Sequence, residues 1–161
     1  MITHSVPVRR ILVALASRED SVSLRRILDG GRWALDFAWT FSDAEAALRT
    51  ASFGVVICGG LFEDGHGWKD ILSEIQRKPV PPQLIVADRL ADEALWAEVL
   101  NLGCYDLLIT PFEAEEVRRV LPMAWGFWER ALEPAATPSK APGTAKPLRR
   151  HSRPSWASGA G

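Results

Sequence analysis

Residues 100–117 read LNLGCYDLLITPFEAEEV, and the order of residue types in this stretch decides the fold. Leu100, Leu102 and Gly103 form a helix end, because glycine accepts the left-handed turn that closes a helix. Leu107 to Ile109 is a short apolar run without polar alternation, which expects cover on both faces. Thr110-Pro111 ends that strand, since proline brings no amide to a ladder. A new helical period then begins near Ala114 and runs to about Ala131. Helix, glycine, buried strand, proline and helix in this order describe one unit of a layered α/β sheet.

The same unit repeats toward the N-terminus. Arg10 to Leu15 is a first strand, followed by a helix that Asp20 or Ser21 opens and Gly30-Gly31 stop. Trp33 to Thr40 is the second strand. Ser42 with Glu45 forms a capping box, and the helix it starts runs toward Ser52. Gly54 precedes a third strand, Val55 to Cys58. The loop from Gly59 to Gly67 leads into an amphipathic helix, Trp68 to Arg77. Pro79, Pro81 and Pro82 then carry the chain to a fourth strand, Leu84 to Ala87, and a helix follows from about Ala91 to Asn101. Strands apolar on both faces and separated by helices predict a five-stranded parallel sheet of doubly wound (βα)5 topology. In such sheets ligands sit beyond the carboxyl ends of the strands, so the loops after strands one, three, four and five are where function is sought.

The chain has 161 residues, of which 47% are hydrophobic and 24% charged. No apolar run approaches the roughly 18 to 20 residues that cross a bilayer, so no membrane partner is expected. Arg9-Arg10 before Ile11 to Ala16 is read as the start of a strand, not as a signal peptide. Cys58 and Cys104 have no Cys-x-x-Cys spacing and no histidine at ligand spacing, which points to a reducing cytoplasm. The formal charge of -1 hides a division. Residues 1–132 hold 14 basic and 19 acidic residues, an excess of five negative charges, whereas residues 133–161 hold five basic and one acidic, an excess of four positive. That tail carries five of the eleven prolines, and only Leu148 and Trp156 could anchor it in a core. It is expected to be disordered, basic and rich in proline, serine and alanine. It either aids solubility or folds back on the acidic domain. An adaptor role toward nucleic acid or another anionic partner is the alternative, although no helix-turn-helix pattern follows residue 132, which argues against nucleic acid as a partner.

Three blocks resemble the CheY-like receiver domains of two-component response regulators over about residues 9–131. ILVALASREDSVSLRRIL (11–28) is similar to the opening strand and helix, and DGHGWKDIL (64–72) to the segment after the third strand. Residues 100–117 resemble the fifth-strand region, with Leu102-Gly103, Asp106 and Pro111-Phe112 in register. The resemblance implies the flavodoxin-like topology and phosphoryl transfer from a histidine kinase to an aspartate. In that chemistry a magnesium ion is held by carboxylates, because a hard cation wants oxygen ligands. In register, the acidic pair falls on Leu15 and Ala16, and the acceptor on Gly59, or on Cys58 after a one-residue slip. The hydroxyl position falls on Ala87 and the lysine on Thr110. None of these is the residue type that the family's chemistry uses, so the resemblance implies a degenerate receiver, or pseudo-receiver. It would bind no metal or cofactor, perform no catalysis and act through protein–protein interaction. The position of the aromatic that reports activation is Leu107, and Tyr105, two residues earlier, could by strand alternation share its face and substitute for it.

Several residues offer other chemistry. Glu63, Asp64 and His66 could bind a metal or small ligand, and Asp64 could be a displaced acceptor; a solvated polar turn explains the same residues. Glu19 and Asp20 could reach this rim or serve as helix caps. Cys58 could be a nucleophile, but without an adjacent base a buried structural cysteine explains it. GGLFEDGHG lacks the spacing of a phosphate loop, which excludes nucleotide binding there. Leu121, Trp125 and Trp128 share one face of the last helix and are expected to pack on the sheet. Trp96, Tyr105, Leu107, Arg118 and Arg119 are the candidates for a docking face on helix four, strand five and helix five. That face would meet a signalling protein, either a histidine kinase or an output protein, or a second copy of the chain.

Overall fold

The computed structural model describes residues 8–133 and Trp156. The expected disordered tail falls outside them, apart from Glu133 and Trp156. Ten elements alternate: β1 (Arg9–Ala14), α1 (Arg18–Leu28), β2 (Trp33–Ala38), α2 (Phe41–Thr50), β3 (Val55–Gly59), α3 (Trp68–Gln76), β4 (Gln83–Asp88), α4 (Glu93–Asn101), β5 (Asp106–Ile109) and α5 (Ala114–Leu132). All pairings are parallel, in the order β2-β1-β3-β4-β5. This is the expected doubly wound sheet, with its change of direction between β1 and β3.

Alternation along the strands sorts the core into two layers. Leu12, Ala14, Val56, Cys58, Leu84, Val86 and Leu107 face α2, α3 and α4, where Leu48, Ile71, Ile75 and Val99 meet them. Ile11, Val13, Val55, Ile57, Ile85 and Leu108 face α1 and α5, against Leu24, Leu28, Val117, Leu121 and Ala124. A fully buried aliphatic side chain of this kind contributes roughly 1.5–3 kcal/mol. The aromatic face of α5 packs as the spacing implies: Trp125 meets Trp33 edge-on at 6.0 Å and Trp128 at 4.9 Å. It can do so because Gly54 has no Cβ, which would lie 2.5 Å from the Trp125 ring. Pro122 sits inside α5 without ending it.

Three local expectations are corrected. The cap of α1 is Ser17, whose Oγ accepts from the Asp20 amide at 3.1 Å, so neither Asp20 nor Ser21 opens the helix. The cap of α2 is Thr40, whose Oγ1 accepts from the Asp43 amide at 3.1 Å. Ser42 is therefore already helical and β2 ends at Ala38. Tyr105 does not share a face with Leu107. It precedes β5, packs in the α1/α5 layer and meets Phe127 at 6.0 Å, while Leu107 lies in the opposite layer. Alternation holds only within a strand, and Tyr105 stands before the regular ladder begins.

Candidate functional site

The four loops beyond the carboxyl ends of β1, β3, β4 and β5 surround one cavity of about 610 Å³. Leu15 and Ala16 from the end of β1, Gly59 from β3, Ala87 from β4 and Thr110 after β5 all line it. The register of the sheet brings them together: Ala14 pairs with Cys58, and Gly59 with Ala87. Leu15 and Thr110 are buried, and a Cβ on Gly59 would lie 3.5 Å from Leu15 Cδ2. Cys58 is turned away into the α2–α4 layer, where its Sγ donates to the Gly59 carbonyl at 3.2 Å. Burial, with smaller contributions from Cys104 and Asp70, pushes its thiol far up from the ordinary range. Burial of this kind favours the protonated thiol over the nucleophilic thiolate.

The polar groups of the cavity come from other positions. Asp20, in the first turn of α1, is 7% exposed, and its Oδ1 lies 3.5 Å from Arg89 Nη2. Asp88 closes β4; its Oδ1 accepts from the Leu90 amide at 2.8 Å, and its backbone carbonyl accepts from the Thr110 amide at 3.2 Å. Gly60 leaves room for the Asp88 carboxylate, which a Cβ at that position would strike. Sequence reasoning reached Asp20, though with capping as its competing role, and passed over Asp88 and Arg89. The signal that could have found both was their place in the loop after strand four. Among the described residues, Asp20 and Asp88 are the carboxylates that line the cavity. Asp20 is countered by a guanidinium, one Asp88 oxygen holds a backbone amide, and among the described residues no three acidic, histidine or cysteine side chains converge on one point.

Asp64 and His66 lie elsewhere. Asp64 Oδ1 accepts from the His66 amide at 3.0 Å, and Oδ2 lies 3.1 Å from His66 Nδ1. The His66 ring stacks on Phe41 at 4.2 Å. The amide hydrogen bond lowers the Asp64 pKa. Gly65, at φ +89°, completes the turn. Both side chains are exposed, and neither they nor Glu63 line the cavity.

The five docking candidates do not form one surface. Tyr105 and Leu107 are buried at 5% and 0% exposure. Trp96 is half-buried, with its indole Nε1 donating to Asp106 Oδ1 at 3.4 Å. Arg118 reaches over α1, donating to the Ile27 carbonyl at 3.3 Å. Arg119 is exposed on α5. The helix period on α5 separates the two arginines by about 100°, which a sequence reading of adjacent residues overlooks.

No protein-family model matches the chain. No curated protein matches it in sequence. Solved structures do match. A signal receiver domain from Vibrio parahaemolyticus superposes with a TM-score of 0.71 at 16% identity, covering 77% of this chain and 95% of that one. A CheY-like response regulator receiver domain from Methanospirillum hungatei gives 0.68 at 16% identity, covering 77% and 98%. The signal receiver domain of an HD domain-containing protein from Pseudomonas fluorescens gives 0.68 at 21% identity, covering 76% and 98%. The chain has the CheY-like receiver fold.

Proposed function

We propose that the domain is a receiver-type signalling module of two-component systems that works by protein contact, without an aspartyl phosphate and without catalysis of its own. The observation that carries this reading is the set of side chains at the rim. Leu15, Ala16, Gly59, Ala87 and Thr110 line the cavity that the four strand ends create. An aspartyl phosphate would need a carboxylate to form it, oxygen ligands to hold a divalent ion, and a cation to neutralise the phosphoryl oxygens. Among the described residues, the guanidinium that lines the cavity, on Arg89, is engaged by Asp20. The fold, these five side chains and the engaged charges together support a domain that keeps the receiver scaffold for recognition. The partner is a signalling protein, a histidine kinase or an output protein. Self-association through the α4–β5–α5 side would use Trp96 and Arg119, the two candidates that are not core residues and do not reach toward α1.

The test is incubation with radiolabelled acetyl phosphate and magnesium. No label is expected on the chain, nor on the Gly59→Asp variant, because the Leu15 and Ala16 positions remain without carboxylates. Label on the wild type that disappears in Asp64→Asn would establish a displaced acceptor. Label that disappears in Asp20→Asn or Asp88→Asn would move the acceptor to the cavity wall. Either result overturns the reading.

A further inference from the structure

Trp156 is the one residue beyond Glu133 that the structure describes, and it packs half-buried against the apolar cluster between the sheet and α2, α3 and α4. One feature sets this contact apart from ordinary core packing. The residue stands 23 positions past Glu133 in a segment with five basic residues and five prolines, so no element of the fold delivers it there. Its indole Nε1, like that of Trp128, is buried without a hydrogen-bond partner among the described residues. An apolar ring with an unsatisfied donor makes a contact of limited strength, which is what a releasable seat requires.

Reach and charge agree with this contact. Twenty-three residues can span up to roughly 75 Å, so chain length does not restrict where the ring can sit. The tail's excess of four positive charges faces a domain with an excess of five negative ones, and such opposite fields draw a tethered segment toward the surface. The sheet and its helices are complete before residue 133, and the cluster holds eighteen buried residues without Trp156.

We propose that the C-terminal segment is an intramolecular ligand of the domain, with Trp156 as its anchor on the apolar cluster shared by α2, α3 and α4. Opposite charge holds the segment near and the indole supplies the specificity. Occupancy of the seat therefore falls with ionic strength, while the fold itself does not change.

The experiment compares amide and indole NMR spectra of the full chain with those of the full-length Trp156→Ala variant. The expected result is a set of amide shifts confined to residues of that cluster, independent of protein concentration. A synthetic peptide of residues 133–161 added to the Trp156→Ala chain should restore the wild-type positions. A peptide carrying the same substitution should bind at least tenfold more weakly, and salt should weaken the wild-type peptide as screening shortens the reach of its charges. A Trp156→Ala spectrum that differs only by the missing indole and its sequence neighbours would overturn the proposal. So would shifts that vanish on dilution, which would place the tail on a second chain.

Discussion

The β3–α3 turn and the rim formed by α1 and β4 both hold acidic side chains at the same end of the sheet, in opposite arrangements. In the turn, Asp64 and His66 satisfy each other and the backbone, and the exposed ring of His66 rests on Phe41. At the rim, Asp20 and Asp88 face a shared cavity from elements 68 residues apart in sequence, and Arg89 bridges toward Asp20. Polar residues close together in sequence thus made a self-contained turn. Polar residues far apart made the cavity wall, because the sheet register brings strand ends together.

The largest expected difference between the two regions comes from their glycines. Gly65 stands at φ +89° with open space around it, so Gly65→Ala costs about 1–2 kcal/mol of backbone strain and leaves the cavity untouched. Gly60→Ala instead drives a methyl into the Asp88 carboxylate and breaks its bond to the Leu90 amide, at a cost of about 1 kcal/mol. Urea melts give the two energies, and amide shifts separate the regions: Gly60→Ala should move resonances of the β4–α4 loop, Gly65→Ala those between Phe62 and Gly67. Coincident shift patterns would erase the distinction.

A smaller effect is expected from Arg89→Ala. The guanidinium is 57% exposed and 3.5 Å from a carboxylate that is 10% exposed, so screening limits the loss to about 0.5–1 kcal/mol. His66→Ala, in the exposed turn, should cost less than Arg89→Ala, as denaturant midpoints would show. The reverse order would mean that the turn, and not the rim, organises this end of the sheet.

The smallest effect is a reference from neither region. Burial, reinforced by Asp106, raises the Glu116 pKa. A carboxyl raised in the folded state binds its proton more tightly there than in the unfolded chain, so it opposes folding once pH exceeds its folded value. Its contribution disappears below the ordinary glutamate range. Glu116→Gln should therefore raise the melting temperature by about a degree or less at pH 7 and leave it unchanged near pH 3.5. A shift of equal size at both pH values would assign the effect to packing.

Much of the architecture was legible because it rests on local rules. The apolar runs of five strands and the glycines and prolines between them specify order and layer, and the register of residues 100–117 placed Thr110 at the cavity. What the sequence concealed was local competition and long-range assembly. Thr40 is β-branched and reads as the end of a strand, yet its hydroxyl caps α2, and Ser17 takes the cap that Asp20 was expected to supply. Asp20 thereby becomes available to Arg89, a pairing no local pattern announces. Tyr105 obeyed the layer set by the backbone before β5, and not the alternation within it. Trp156 was recognisable as a possible anchor, but the cluster it packs against is assembled from residues far apart in sequence.

The most direct measurement is the amide spectrum of the full chain with and without magnesium and beryllofluoride, which together mimic an aspartyl phosphate. A domain that works without this modification should give a well-dispersed spectrum that does not change. Shifts gathered in the loops after β1, β3 and β5 would reveal a surviving acceptor and contradict the account.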